Sequence, residues 1–102
     1  MSRPCCLRQI GFKPGAGFFR PVGVPGCMLE VVTLTLDEVE ALRLADLNGL
    51  YQEQAAKEMG ISRPTFSRII EGARRKVADA LIHGKALRLE GGAVQMKGEQ
   101  KS

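Results

Sequence analysis

A chain of 102 residues, 44% hydrophobic and 25% charged, has the composition of one modest globular domain and too few residues for two cores. No apolar run approaches the roughly 20 residues of a membrane span, and the opening MSRPCCLRQI lacks the unbroken apolar stretch of a secretion signal, so a cytoplasmic protein without membrane contact is expected. The net charge of +4 is uneven: residues 1–30 carry four cations against one acid, residues 31–60 two against six, and residues 61–90 seven against three, which offers a polyanion one face of the molecule.

Residues 1–33 hold four of the five prolines and five of the twelve glycines, so they predict a loop-rich N-terminal arm with short strands, at Cys6 to Phe12 and Met28 to Thr33. The arm's cations are expected to aid anion binding without supporting the core. The stretch TLTLDEVEALRLADLNG then has a complete helix start: Thr35 as N-cap, Glu38 closing a capping box, and Leu34 with Val39 as a hydrophobic staple. This first helix is expected to run to about Leu47, with Gly49 as its stop. A second runs from about Gln52 to Met59 and ends at Gly60, a position that favours the left-handed conformation.

The third helix, residues 62–83, is the clearest periodic signal. Phe66, Ile69, Ile70, Ala73, Val77, Ala80 and Leu81 form one apolar stripe at about 100° per residue. Pro64, Arg68, Glu71 and Arg75 point away from it, Gly72 lies on the outer side, and Arg74 and Lys76 lie on the two flanks. Ser62 serves as N-cap, and Pro64 sits in the first turn, where a missing N–H costs nothing. Arg63, Thr65, Ser67 and Arg68 are thereby presented outward. Beyond it, KALRLE alternates like a half-buried strand and is expected to pair with Ile10 and Phe12. Residues 91–102 have no periodicity and predict a disordered tail.

A short helix, a glycine turn and a longer basic helix make a helix-turn-helix. The internal spacing agrees: small Ala56 for a close crossing, Gly60 for the turn, and Ile61, Phe66 and Ile69 to fill the wedge. The fold class read here is therefore mainly α, a trihelical helix-turn-helix over residues 34–90. The arm precedes it, and short β segments lie at the ends. The DNA-contacting candidates are Arg63, Thr65, Ser67 and Arg68 at base edges, with Arg74, Arg75 and Lys76 at phosphates.

The stretch from LTLDEVEALRLADLNG to KALRLEGG, with the opening RPCCLRQIGF, resembles an uncharacterised family of small bacterial and archaeal proteins that are predicted helix-turn-helix DNA-binding proteins. The central part is also similar to region 4 of sigma-70-type factors, whose features are met by Glu40, Gly49-Leu50, Gln52-Glu53, Ala56, Gly60-Ile61-Ser62 and Arg75-Lys76. At Tyr51 the chain departs from that pattern, which favours a capping Ser or Thr; such a loss costs about 1 kcal/mol. The resemblance implies transcription regulation through double-stranded DNA and, for the sigma-like part, a contact with RNA polymerase.

Other readings are weaker. Cys5, Cys6 and Cys27 are odd in number, and two are adjacent, which suits neither a disulfide framework nor the gap of about two to four residues in a zinc knuckle. A metal site would need His83 or a carboxylate as fourth ligand, so neither metal nor cofactor is expected. His83 in the last turn favours the helix dipole instead. No enzyme is expected, because one histidine lacks a catalytic partner, the acids of the first helix do not converge, and no phosphate-loop spacing is present. The alternative from another class is a protein-interaction module that binds RNA polymerase or another regulator without reading DNA. The third helix overruns the trihelical core and leaves Ile82 outside, so a homodimer is expected to bury the surplus.

Overall fold

The computed structural model describes residues 7–96. Three helices lie against two small sheets. Strands β1 (Arg8–Ile10), β2 (Phe18–Phe19) and β3 (Val31–Leu34) precede helices α1 (Leu36–Leu42), α2 (Gln52–Met59) and α3 (Arg63–His83), and β4 (Ala86–Leu89) and β5 (Val94–Met96) follow. Among the described residues, no helix is long and apolar enough to cross a membrane.

The helices start and stop where local chemistry directs them. The Thr35 N–H donates to Glu38 Oε1 at 2.9 Å, closing the capping box of α1. After Leu42 the same helix widens into one π-type turn, Arg43–Leu47, with the Asn48 N–H reaching back to the Arg43 carbonyl at 2.9 Å. That turn keeps Leu44 buried while Leu47 is exposed. Tyr51 provides no side-chain cap, yet α2 begins at Gln52 as expected. Gly60 ends α2 at φ 68°, where a side chain would be strained, and the Ile61 N–H bonds the Ala56 carbonyl. Ser62 Oγ accepts from the Thr65 N–H, and α3 runs 21 residues to Gly84.

The core cluster joins Ala41, Leu44, Ala55, Ala56, Met59, Phe66 and Ile70, with Ile61 and Ile69 packed at its edge. The expected wedge between helices is therefore present. Leu81 departs from expectation: it is 76% exposed, because neither α1 nor α2 extends along the C-terminal third of α3. Gly72 faces Glu38 of α1, whose Oε2 lies 3.5 Å from where a Cβ would stand, and not the outer side.

The strands pair differently from the sequence expectation. β4 lies between β2 and β3, antiparallel to the first and parallel to the second, with Phe18 opposite Arg88 and Leu34 opposite Leu89. The three helices form the crossover that makes β3 and β4 parallel neighbours. Ile10 pairs instead with Met96 in the parallel β1–β5 ladder, so part of the expected disordered tail is a strand. Its last six residues, and Cys5 and Cys6, lie outside the described residues.

The arm is built into the core. Ile10 is 2% exposed and among the largest fully buried side chains. The acids of α1 tether this frame. Glu40, 3% exposed, accepts from the Gly11 N–H at 2.9 Å and from the Arg43 guanidinium at 2.9 and 2.8 Å. Asp37 accepts from the Thr35 hydroxyl and the Glu38 N–H. Its Oδ2 lies 3.6 Å from Arg8 Nε, a buried nitrogen with no hydrogen-bond partner among the described residues. Gly92, at φ 98°, passes so close that a Cβ would come within 2.9 Å of Asp37 Oδ1.

Candidate nucleic-acid interface

The candidate side chains lie on α3, and the helix divides them into three rows. At about 100° per residue, Pro64, Arg68, Glu71 and Arg75 form an outer ridge opposite Phe66, Ile70 and Ala73, and the ridge is exposed while those three are buried. Arg63 stands at its open N-terminal end, also exposed. Arg68 and Arg75 are seven residues, about 10 Å, apart along the axis. Among the described residues, no ion pair or hydrogen bond engages the side chains of Arg63, Arg68 or Arg75.

The flanking rows are engaged. Arg74 donates from Nε and a terminal nitrogen to the two oxygens of Asp46, at 3.1 and 2.7 Å. This fork raises the Arg74 pKa and holds the Asp46 carboxyl below its ordinary range, mainly through the hydrogen bonds. On the other flank, Lys76 Nζ donates to the Thr33 carbonyl and to Glu38 Oε1, each at 2.9 Å. Lys76 therefore fastens α3 to α1 and β3. Its charge is shared with Glu38 rather than offered outward.

The polar candidates are oriented by α3's own start and by α2. Thr65 Oγ1 accepts from the Ser62 hydroxyl at 2.9 Å. Ser67 Oγ donates to Gln52 Oε1 in the first turn of α2, which fixes the hydroxyl and leaves its lone pairs to accept. β1 lies against the turn between α2 and α3, with Gln9 Cγ 3.7 Å from where a Gly60 Cβ would stand. Gln52, Asp46 and Glu38 escaped the sequence reading as partners because they lie 15, 28 and 38 residues from the side chains they hold. The acid surplus of residues 31–60 was the available signal, since acids that do not face solvent must find cations.

The Asp46–Arg74 pair gives a pH-dependent outcome. A carboxyl lowered in the folded state adds stability above its ordinary value and loses it as pH falls through the lowered one. With both side chains about half exposed, at 49% and 42%, the contribution is about 0.2–1 kcal/mol. Asp46→Asn is expected to be less stable than wild type by that amount at neutral pH. The difference should vanish in strong acid, as followed by thermal denaturation at both pH values; a gap that persists there refutes the assignment.

Elsewhere, Cys27 is exposed, and among the described residues no three of His, Cys, Asp and Glu gather as metal ligands. His83 Nδ1 bonds Asp79 at 2.7 Å in the last turn of α3. An apolar groove of about 480 Å³ lies between the arm and α1, lined by Phe12, Pro14, Val39, Leu42, Leu47 and Leu89, with Arg43 and Asp46 at its polar edge.

The family described as "Protein of unknown function DUF134" matches residues 1–97. A "UPF0251 protein" of Prosthecochloris aestuarii is 53% identical over 99 residues, covering 97% of this chain and 64% of its own length. Another, of Caldanaerobacter subterraneus subsp. tengcongensis, is 54% identical over 99 residues, covering 97% of this chain and 84% of its own length. A third, of Thermoanaerobacter pseudethanolicus, is 52% identical over 101 residues, with 99% and 86% covered. No solved structure matches the chain.

Proposed function

We propose that this chain, which belongs to the DUF134 family, binds double-stranded DNA as a transcriptional regulator. In this reading α2, the turn at Gly60 and α3 form a helix-turn-helix of the sigma region 4 type, and α3 enters the major groove. The observation that carries it is the selective engagement of cations on α3. Asp46 and Glu38 hold the two flanking cations, whereas Arg63 at the N-terminal end and Arg68 and Arg75 on the outer ridge stay unpaired among the described residues. A solvated helix face has no need of such sorting, while a phosphate-contacting ridge requires free guanidiniums.

Within the ridge, Arg63 and Arg68 lie in the first two turns, where side chains reach base edges, and Ser67 and Thr65 stand beside them as held hydroxyls. Arg75 meets a phosphate. Arg74 and Lys76 add little, because their charges are compensated within the fold. Binding to random duplex, followed by fluorescence anisotropy over a salt series, tests the reading. The logarithm of affinity should fall linearly with the logarithm of salt, with a slope near −0.9 per neutralised phosphate, so about −2 to −3 for the three ridge arginines. A flat response removes the DNA reading.

The apolar groove beside α1 favours a second reading. With Leu47 exposed at its rim and an apolar floor edged by Arg43 and Asp46, it suits a helix or loop of RNA polymerase or another regulator. Under that reading Leu47→Glu abolishes partner capture and Arg68→Ala does not.

A further inference from the structure

We propose that the C-terminal third of α3, with the β2 segment beside it, is a self-association surface that pairs two copies of this chain through antiparallel α3 helices. The flank of α3 held by Gln52 of α2 at Ser67 and by Asp46 of the π-type turn at Arg74 has Arg74 as its last side chain bonded to another element. Beyond it come Ala78, Leu81 and Ile82, all exposed, the last two at 76%. At about 100° per residue Leu81 and Ala78 lie about 120° and 60° around the helix from Arg75, while Ile82 stands about 20° from it but two turns further on, so a partner centred on these three leaves the ridge open as far as Arg75.

Two observations select a second copy over another occupant. The first is shape. Leu81 and Ile82 protrude beside a cleft of about 230 Å³ whose apolar wall is Phe19, Pro21, Ala80, Leu81 and Leu87 and whose remaining lining is Gly84 with the cations Arg20 and Lys85, and Phe19 itself is 53% exposed. A two-fold contact is self-complementary only if knob and hole lie on the same patch, as they do here. The second is charge. The rim balances its own charges: Asp79 pairs with His83 at 2.7 Å and with Lys85 at 3.1 Å, Lys85 pairs with Glu30 at 3.5 Å, and Arg20, the other cation of the cleft, donates to the Val24 carbonyl at 2.9 Å. A near-neutral rim can face its own copy without like-charge repulsion, whereas it offers a strongly acidic or basic partner nothing to recognise.

The spacing deepens the DNA reading, on which this part of the inference rests. The patch is centred near Ala80, twelve residues or about 18 Å along the axis from Arg68. A two-fold axis there sets the two Arg68 positions about 36 Å apart, matching the 34–36 Å between major grooves one turn apart on the same side of a duplex.

Sedimentation of the full chain, without DNA, tests the surface. The expected species has twice the 11.1 kDa of one chain. Leu81→Glu and Ile82→Glu should each weaken the dimer at least about tenfold, and circular dichroism should keep the wild-type helix signal because both positions are exposed. Leu47→Glu, in the other apolar groove, should leave the dimer intact. A monomeric wild type at high concentration, a dimer that survives both α3 variants, or one dissolved by Leu47→Glu overturns the proposal. A dimer without salt-dependent DNA binding supports this surface and defeats the DNA reading; a DNA-binding monomer does the reverse.

Discussion

Replacing Arg68 with Ala is expected to reduce affinity for the preferred duplex by about 1–3 kcal/mol, roughly 5- to 150-fold, and to relax base preference at one or two positions. Arg68 lies in the second turn of α3 on the exposed ridge, and no side chain of the described residues restrains its guanidinium. Arginine presents a planar fork that fits the O6 and N7 of guanine, so its loss removes a bidentate contact to one base pair. Arg75→Ala should behave differently. Two turns further along, where the helix leaves the groove, its loss should weaken specific and random duplexes alike and reduce the salt slope by about one unit. Arg74→Ala, which removes a cation already bound to Asp46, should change DNA affinity less than Arg75→Ala. Selection of the preferred site by the purified protein, followed by isotherms on that site and on random DNA, separates these outcomes. Equal losses on both DNAs for Arg68→Ala and Arg75→Ala show that the second turn does not read sequence. No loss for either favours the protein-interaction reading.

The second large effect concerns the arm. Ile10→Ala is expected to lower stability by about 2–5 kcal/mol, the cost of a buried cavity, although the residue belongs to a loop-rich segment of three-residue strands. Ile10 is 2% exposed, it pairs with Met96, and the next residue donates its N–H to the buried Glu40 carboxylate. Loss of the side chain therefore loosens β1 against both α1 and the closing strand β5. Glu40→Ala should cost a comparable amount, because it strands the Gly11 N–H and the Arg43 guanidinium together. Urea unfolding followed by circular dichroism measures both. A loss below about 0.5 kcal/mol for Ile10→Ala would make the arm peripheral, as the sequence expectation had it.

Much of α1, α2 and α3 was legible because their signals are local. Thr35 and Glu38 lie three residues apart, Ser62 and Thr65 likewise, and Gly60 acts on its own φ. Each can be read from a window shorter than two helical turns. The apolar stripe of α3 was legible too as far as Ala80, since period alone says which face is buried. The period does not say how far along that face a neighbour extends. Leu81 fits the stripe and is exposed because the covering helices stop short of it.

The sequence by itself determined the three helices, the N-terminal caps of α1 and α3, the turn at Gly60 and the outer ridge of Pro64, Arg68, Glu71 and Arg75, because 3.6-residue periodicity and capping are properties of adjacent residues. Tertiary structure alone decided which cations stay free, since Arg74 and Lys76 meet Asp46 and Glu38 across 28 and 38 residues. It also decided that the arm is core and that the tail closes it. The β1–β5 ladder joins Arg8–Ile10 to Val94–Met96, two three-residue segments too short to carry a period, whose pairing depends on α1 and α2 presenting a surface for Ile10 to fill. A strand that short is made by its partners, and its partners lie at the other end of the chain.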